Sequence, residues 1–197
     1  MTPITLAAAD DLYPVRLGER LGAAAPAQVA ALGNLDLLDS PKTAFFCSAH
    51  SPGHTILAAY DQAAHWRDAG RCVISGFHSP VEKECLRILL RGRQPIIVCL
   101  ARGLDGMRLP AEWKTVLAEG RLLVLSQFSG RARRMTKNLA LHRNNFAAAL
   151  ADEVVFAHIS TGGQLQNLAE VIAGWRIPCT VLADERMPAA STSGGAQ

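Results

Sequence analysis

Residues Thr43–Ser48 read TAFFCS, a short and almost wholly apolar run that is followed by the small and polar segment AHSPGH. Five similar runs come later in the chain: Arg71–Ser75, Pro95–Leu100, Arg121–Ser126, Glu153–His158 and Pro178–Ala183. Because these runs are continuously apolar and do not alternate with polar residues, they predict strands that are buried on both faces of a sheet.

Longer segments of helical character separate these runs. They are Pro52–Ala69, Pro80–Arg91, Pro110–Ala118, Arg131–Leu150 and Gly163–Trp175. Strands that alternate with helices of this length predict an α/β fold, in which helices cover both faces of a mostly parallel, twisted sheet. We therefore expect about six strands joined by right-handed crossovers.

The two ends of the chain differ from this middle part. Before the first run, the alanine-rich segments Val15–Ala24 and Ala27–Leu32 predict a short helical lead-in. The last residues are small and polar, which predicts a disordered tail. The expected divisions are a lead-in over residues 1–40, an α/β domain over residues 41–186 and a tail over residues 187–197.

Composition excludes several classes of protein. The chain has 197 residues, of which 49% are hydrophobic and 19% charged, as expected for a folded domain. No apolar run approaches the roughly 18–20 residues that span a bilayer. The first residues, MTPITLAAADD, do not resemble a signal peptide, so we expect a cytoplasmic protein. The five cysteines form no CxxC pair, which predicts buried thiols and no metal site.

The charge is unevenly distributed along the chain. The formal net charge is +3, yet no Asp or Glu occurs from Gly120 to Ala151. The six basic residues of this segment are Arg121, Arg131, Arg133, Arg134, Lys137 and Arg143. A solvated helix face usually contains acidic partners at i,i+4 spacing, and none is present here. We therefore favour a functional anion-binding surface over a solvated face.

Small polar residues follow the apolar runs at the edge where open α/β sheets bind ligands. Four of the six histidines lie there: His50, His54, His78 and His158. Hydroxyl and glycine residues in such turns allow backbone N–H groups to approach an anion, which predicts a phosphate-bearing ligand. The chain has neither the GxGxxG nor the GxxxxGK[ST] fingerprint. Each histidine can equally be a packing residue, and Thr161–Gly163 can equally be a tight turn.

An ordered set of short motifs, from about Asp11 to Ala183, resembles the DNA-processing protein A (DprA/Smf) family of the Rossmann-like SLOG superfamily. Cys47–His50 stands where that family has Gly-Ser-Arg, and Ser75–Phe77 matches its Ser-Gly-Leu. The further matches are Gly103–Asp105 to Gly-Leu-Asp, Arg143–Asn145 to Arg-Asn-Arg and Gly162–Leu165 to Ser-Gly-Ser-Leu. The resemblance implies a Rossmann-like fold and binding of single-stranded DNA. It also implies a role in DNA processing, recombination or natural transformation, with the recombinase RecA as a partner.

The chain also departs from the family's pattern. His50 or Ala49 replaces the arginine of the first motif, and Asn145 replaces the second arginine of the later one. Glu82 stands in for the family's aspartate, and Leu86 replaces its histidine. The sequence resembles a short form of the family, without the C-terminal winged-helix domain that many members carry.

We therefore predict a DprA-type module that binds single-stranded DNA, or a phosphate-bearing nucleotide, without catalysis and without a cofactor. We expect a homo-oligomer, such as a dimer, and no membrane partner. The residues predicted to bind the phosphates are Ser48, His50, Ser75, Gly76, His78, Arg102, Arg131, Arg133, Arg134, Lys137, Arg143, Asn144, Asn145, Thr161, Gly162, Gly163 and Gln164.

Two alternatives remain open at this point. One is a SLOG-type sensor or phosphoribohydrolase of a small nucleotide, which would use Glu82, His78 or His158 for acid–base chemistry. The other is a scaffold that has lost ligand binding, because two of the family's arginines are missing.

Overall fold

Eight strands form one sheet in the computed structural model, which describes residues 2–130 and 136–182. The strands are β1 (Ile4–Ala7), β2 (Gln28–Gly33), β3 (Lys42–Cys47), β4 (Cys72–Ser75), β5 (Ile96–Cys99), β6 (Leu122–Ser126), β7 (Glu153–His158) and β8 (Cys179–Val181). The helices are α1 (Val15–Leu21), α2 (Gly53–Asp68), α3 (Pro80–Leu90), α4 (Ala111–Ala118), α5 (Lys137–Leu150) and α6 (Gln164–Ala173). The predicted tail over residues 187–197 lies outside the described residues.

The sheet is mostly parallel, which confirms the predicted fold class. Its strand order is β1-β2-β6-β5-β4-β3-β7-β8, and the pairs from β6 to β8 are all parallel. These six strands are the six apolar runs of the sequence. Every residue of β3, β4, β5 and β6 is buried, as expected for strands that are covered on both faces.

The N-terminal segment differs from its prediction. Residues Val15–Ala24 are helical, as α1 and a 3₁₀ turn over Gly22–Ala24. The predicted helix over Ala27–Leu32 is wrong, because β2 occupies this segment and pairs antiparallel with both β1 and β6. Hydrogen bonds to β6, about ninety residues later in the chain, override the helical propensity of alanine. The sheet therefore has eight strands and not about six, while the boundary at residue 40 stays a prediction.

Two hydrophobic cores lie on opposite faces of the sheet. Helices α2, α3 and α4 cover one face, where Trp66 packs edge-on against Phe45 with ring centroids 5.4 Å apart. Helices α1, α5 and α6 cover the other face, where Phe46 contacts Phe156. Helices on both faces agree with the sequence prediction.

The direction of the chain across the sheet reverses at β3. From β3 the chain moves through β4 and β5 to β6, and it then returns through α5 to β7 on the other side of β3. A crevice opens at such a reversal, beyond the carboxyl ends of the strands. The topology therefore places such a crevice at the ends of β3 and β7.

The cysteines are free thiols, as predicted, but they are not all buried. Cys47, Cys72, Cys85 and Cys99 are buried, whereas Cys179 on the edge strand β8 is exposed. Burial raises the pKa of Cys72 to about 11 and that of Cys99 to about 12. Within residues 2–130 and 136–182, no helix is long and apolar enough to cross a membrane.

Candidate functional site

A cleft of about 440 Å³ lies at the reversal point, beyond the carboxyl ends of β3, β4 and β7. Turns after these three strands supply three of its sides, and one face of α5 closes the fourth. The α5 residues that line it are Lys137, Ala140, Arg143 and Asn144, whose spacing places them on one side of the helix. The topology thus brings together residues that lie more than a hundred positions apart.

Two serines join the ends of β3 and β7 beneath the cleft. The backbone N–H of Ser48 donates to the His158 carbonyl at 3.0 Å, and the N–H of Ser160 donates to Ser48 Oγ at 2.9 Å. The Ser160 hydroxyl donates to the His50 carbonyl at 3.3 Å. The Ser48 hydroxyl is therefore already an acceptor within the protein, while the exposed His50 lies at the rim.

Glu82 is a buried carboxylate that organises the turn after β4. Ser79 caps α3 and forms a reciprocal capping box with Glu82, three residues later. Glu82 Oε2 accepts the N–H groups of His78 at 2.7 Å and Ser79 at 3.1 Å, and its Oε1 accepts the N–H of Cys47 at 2.9 Å. One side chain thus joins the end of β3 to the start of α3.

Glu82 changes the expected use of the turn between Ser75 and His78. The sequence prediction assigned the backbone N–H groups of this turn to a phosphate, but the Glu82 carboxylate accepts those of His78 and Ser79. Ser75 is fully buried, and its hydroxyl accepts the N–H of Phe77 at 3.1 Å. Phe77 has a φ of 45°, a left-handed conformation that is costly for a bulky residue. The turn is therefore held by internal contacts.

Arg143 is the buried cation of the cleft. Its residue exposure is only 4%, and its Nε donates to Asn144 Oδ1 at 2.9 Å. The guanidinium lies against Gly76, where an added Cβ would collide with Cζ, Nη1 and Nε of Arg143. Burial lowers the pKa of Arg143, and the nearby Glu82 carboxylate opposes that shift.

The Nη groups of Arg143 remain available to a ligand. Among the residues that the structure describes, neither Nη nitrogen has a hydrogen-bond partner, although Arg143 lines the cleft. A buried guanidinium with unused donors favours a carboxylate or a phosphate, which can accept two parallel N–H bonds.

The N-terminus of α6 supplies further donors on the opposite side. Gly162 has a φ of 69° and Gly163 is the N-cap, so the chain turns sharply from β7 into the helix. The N–H groups of Gln164 and Leu165 open the helix and have no acceptor in the described part of the chain. Gln164 Nε2 donates to the Lys137 carbonyl at 2.9 Å, which ties α6 to α5.

His78 is exposed at the cleft, but its charge is disfavoured there. Partial desolvation of the ring at the cleft lowers its pKa, and the positive charges of Arg143 and Lys83 lower it further, whereas Glu82 acts in the opposite direction. The direction of this shift favours the neutral ring.

Most of the described candidates meet in this one cleft. The lining residues that the sequence predicted are Ser48, His50, His78, Lys137, Arg143, Asn144, Gly162, Gly163 and Gln164. Ser75 and Gly76 lie beneath the cleft, whereas Arg102 and Thr161 are exposed and do not line it. Asn145 does not line it either, and its Oδ1 is buried without a partner among the described residues. Arg131, Arg133 and Arg134 lie outside the described residues.

The structural role of Glu82 was not predicted from the sequence. From the sequence alone, Glu82 is the counterpart of the family's aspartate and a candidate for acid–base chemistry. The Ser79-x-x-Glu82 spacing is a capping-box signature and points to the helix start. No local signal indicates the additional bond to Cys47, 35 residues earlier.

Known structures share this fold. DNA processing protein A (DprA) from Streptococcus pneumoniae superposes with a TM-score of 0.71 at 21% identity, over 90% of this chain and 62% of that one. The Helicobacter pylori protein, described as DNA processing protein A with a unique single-stranded DNA binding mode, superposes with a TM-score of 0.70 at 18% identity. That match covers 92% of this chain and 80% of the other. These matches confirm a Rossmann-like fold of the DprA type.

The family itself follows from the sequence match. No curated protein matches the chain. Residues 4–171 match the family profile described as DNA recombination-mediator protein A. This match covers most of the chain, and the fold shared with the two DprA structures agrees with it. The protein belongs to the DNA recombination-mediator protein A family.

Proposed function

We propose that this protein binds single-stranded DNA through its phosphates, in the cleft at the carboxyl ends of β3, β4 and β7. The observation that carries the proposal is Arg143, a residue of 4% exposure whose Nη groups have no hydrogen-bond partner among the described residues. Removing a guanidinium largely from water costs free energy, and an anionic ligand that accepts its N–H groups offsets part of that cost.

The arrangement of charges supports an extended anion. Inside the cleft, the charge of Arg143 is offset by that of Glu82, so the net positive charge comes from the rim. Lys137 is exposed at the first turn of α5. Arg131, Arg133 and Arg134 precede that helix by a few residues in the sequence, and we propose that they also bind phosphates. A run of phosphates would contact both the rim and the interior, whereas a single phosphate would not.

The binding is expected to depend on phosphates more than on base stacking. No aromatic residue lines the cleft among the residues that the structure describes, and Phe77 beside it is 5% exposed. The Helicobacter pylori structure is described as that of a single-stranded DNA-binding protein, which supports the same ligand class here. We further propose that the protein acts in the cytoplasm as a homodimer and delivers the strand to a RecA-type recombinase.

A small nucleotide is the second candidate. The cleft volume of about 440 Å³ is within the range of small-molecule sites, which favours this reading. Hydrolysis is a weaker proposal, because both Glu82 oxygens already accept backbone N–H groups and His158 does not line the cleft. A proton-transfer role would require those bonds to break.

Fluorescence anisotropy with a labelled oligothymidylate across a salt series tests the proposal. About five phosphate contacts should give a log–log slope of roughly −3 to −4 for a single strand. Loss of charge-assisted bonds in Arg143→Gln should weaken binding about 10- to 100-fold. Arg93→Gln is the matched control, because Arg93 is exposed just before β5, at the opposite edge of the sheet from the cleft, and it should bind almost like the wild type.

Three outcomes would contradict the proposal. The first is no binding at low salt by folded protein. The second is equal binding by the Arg143→Gln and Arg93→Gln variants. The third is binding of a mononucleotide that raises the melting temperature and is cleaved on incubation, which would favour the small-nucleotide reading.

A further inference from the structure

A second, larger groove lies at the opposite edge of the sheet. Its volume is about 820 Å³, and it runs between the C-terminal ends of α3 and α4, where the chain enters β5 and β6. Parallel strands place their amino ends at one edge and their carboxyl ends at the other. The groove is therefore separate from the DNA cleft, and one ligand need not exclude the other.

Four arginines line this groove, and two of them are unpaired. Arg87 forms an ion pair with Glu84 at 2.7 Å, and Arg121 pairs with Glu119 at 2.6 Å. The side chains of Arg91 and Arg93 are exposed and make neither an ion pair nor a hydrogen bond within residues 2–130 and 136–182. Two guanidinium groups are thus available at the mouth of the groove.

The remaining lining residues limit the class of ligand. Leu90 and the buried Val116 provide apolar surface, which suits an aliphatic or aromatic side chain. Glu112 and Glu119 also line the groove, and two helix C-termini direct partial negative charge towards it. These negative groups disfavour a nucleic-acid backbone, which carries a negative charge at every nucleotide. They are compatible with a peptide that has only a few carboxylates.

We propose that this groove binds an acidic peptide segment, with carboxylates on Arg91 and Arg93 and an apolar side chain against Leu90 and Val116. The partner is thus a protein with an acidic and partly apolar tail or loop. Because the groove and the cleft lie at opposite edges, the protein can hold a DNA strand and this partner at the same time.

An NMR titration of the ¹⁵N-labelled full chain tests this inference. The probe is the peptide Asp-Glu-Asp-Leu-Phe, and the comparison peptides are Asn-Gln-Asn-Leu-Phe and Asp-Glu-Asp-Ser-Ser. We expect shifts at Gly92, Arg93 and Thr115, and none at Gly162 or Gly163 in the DNA cleft. Replacing either the carboxylates or the apolar residues should weaken binding at least about tenfold.

Charge reversal provides the matched variants. The double variant Arg91→Glu, Arg93→Glu should abolish the shifts. Lys114→Glu reverses a charge on the exposed side of α4, outside the groove, and should preserve them. All three positions are exposed, so the variants should fold, which circular dichroism checks directly.

Three outcomes of these experiments would overturn the inference. Shifts that persist in the double variant would place the peptide elsewhere. The absence of any change in the amide signals at millimolar peptide would show that the groove does not bind the peptide. Oligothymidylate that shifts the same amides and competes with the peptide would make the groove a nucleic-acid surface. Failure of DNA binding at the cleft would leave the peptide result unaffected, so the two proposals fail separately.

Discussion

The two edges of the sheet carry arginines in opposite settings. At the carboxyl edge, Arg143 is buried and lies against Gly76, close to a carboxylate that accepts three backbone N–H groups. At the amino edge, the side chains of Arg91 and Arg93 are exposed and have no partner in the described residues. Positive charge alone therefore does not distinguish the two regions.

The difference lies in what holds the charged groups in place. A buried charge in a network of hydrogen bonds has one orientation, so its removal affects both folding and binding. An exposed arginine keeps its conformational freedom and its water, so its removal affects only what it binds. The four predictions below test this contrast, from the largest expected effect to the smallest.

The largest expected effect is loss of stability in Glu82→Ala. The variant leaves three backbone N–H groups without their acceptor and Arg143 without a nearby countercharge. We expect the free energy of unfolding to fall by about 3–5 kcal/mol, measured by urea denaturation. Glu84→Ala is the control on the same helix, since its ion pair is at the surface, and it should cost less than about 1 kcal/mol. Equal costs for the two variants would refute the contrast.

The second expected effect is weaker DNA binding in Gly76→Ala. The added Cβ would collide with the Arg143 guanidinium and displace it, because this end of the side chain moves more easily than the backbone. We expect roughly tenfold weaker oligonucleotide binding, with a stability loss of only about 1 kcal/mol.

Gly53→Ala is the control for this variant. An added Cβ at Gly53 meets nothing within 4 Å, so binding should not change. Unchanged binding in Gly76→Ala, with the guanidinium displaced in its structure, would exclude Arg143 as a phosphate ligand.

The third expected effect is a smaller salt dependence in Lys137→Ala. Lys137 is exposed at the cleft, so it should contribute one phosphate contact without supporting the fold. Its removal should reduce the magnitude of the log–log salt slope by about 0.7, measured by anisotropy. Arg91→Ala at the opposite edge should leave the slope unchanged. A reduced slope in the Arg91 variant would mean that the strand also contacts the amino edge.

The smallest expected effect is a pH dependence through His78. Partial desolvation, together with Arg143 and Lys83, lowers the pKa of His78 in the free protein, and a bound phosphate favours the protonated ring. The complex therefore takes up a proton, and affinity should rise about threefold from about pH 7.5 to about 5.5. His78→Gln should remove this rise, whereas His142→Gln, which is outside the cleft, should keep it.

Stability should change with pH in the opposite sense. Because the folded pKa of His78 is below the unfolded value, the unfolded chain binds the proton more readily. The contribution of neutral His78 to stability is thus present above the unfolded pKa and is lost as the pH falls below it. The free energy of unfolding should therefore not rise as the pH falls through this range. A rise in the wild type that is absent from His78→Gln would contradict the predicted direction.

The strands of the parallel sheet were predictable because their signal is local. Continuous apolar runs such as Ile96–Cys99 can be satisfied only by burial on both faces, and the prediction differs from the structure by about one residue at most ends. Ala27–Leu32 was not predictable in this way. Alanine favours a helix in isolation, and only pairing with β6 makes the segment a strand.

The candidate site likewise has a part that the sequence predicted and a part that it did not. The general rule for α/β sheets predicted that His50, His78 and Gln164 follow strands at one edge, and the structure places all three around one cleft. The burial of Arg143 was not predictable, because a charge at a helix surface and a charge beneath a cleft look alike in sequence.

The sequence by itself determined the fold class, the family and the edge of the sheet at which the cleft lies, because apolar runs and motif order are properties of neighbouring residues. Only the tertiary structure decided which charges are buried and which donors remain available. Glu82 accepts the N–H of Cys47, 35 residues away, and Arg143 lies against Gly76 on another element. Such contacts depend on how segments that are far apart in the sequence pack against one another, and local sequence patterns do not determine that packing.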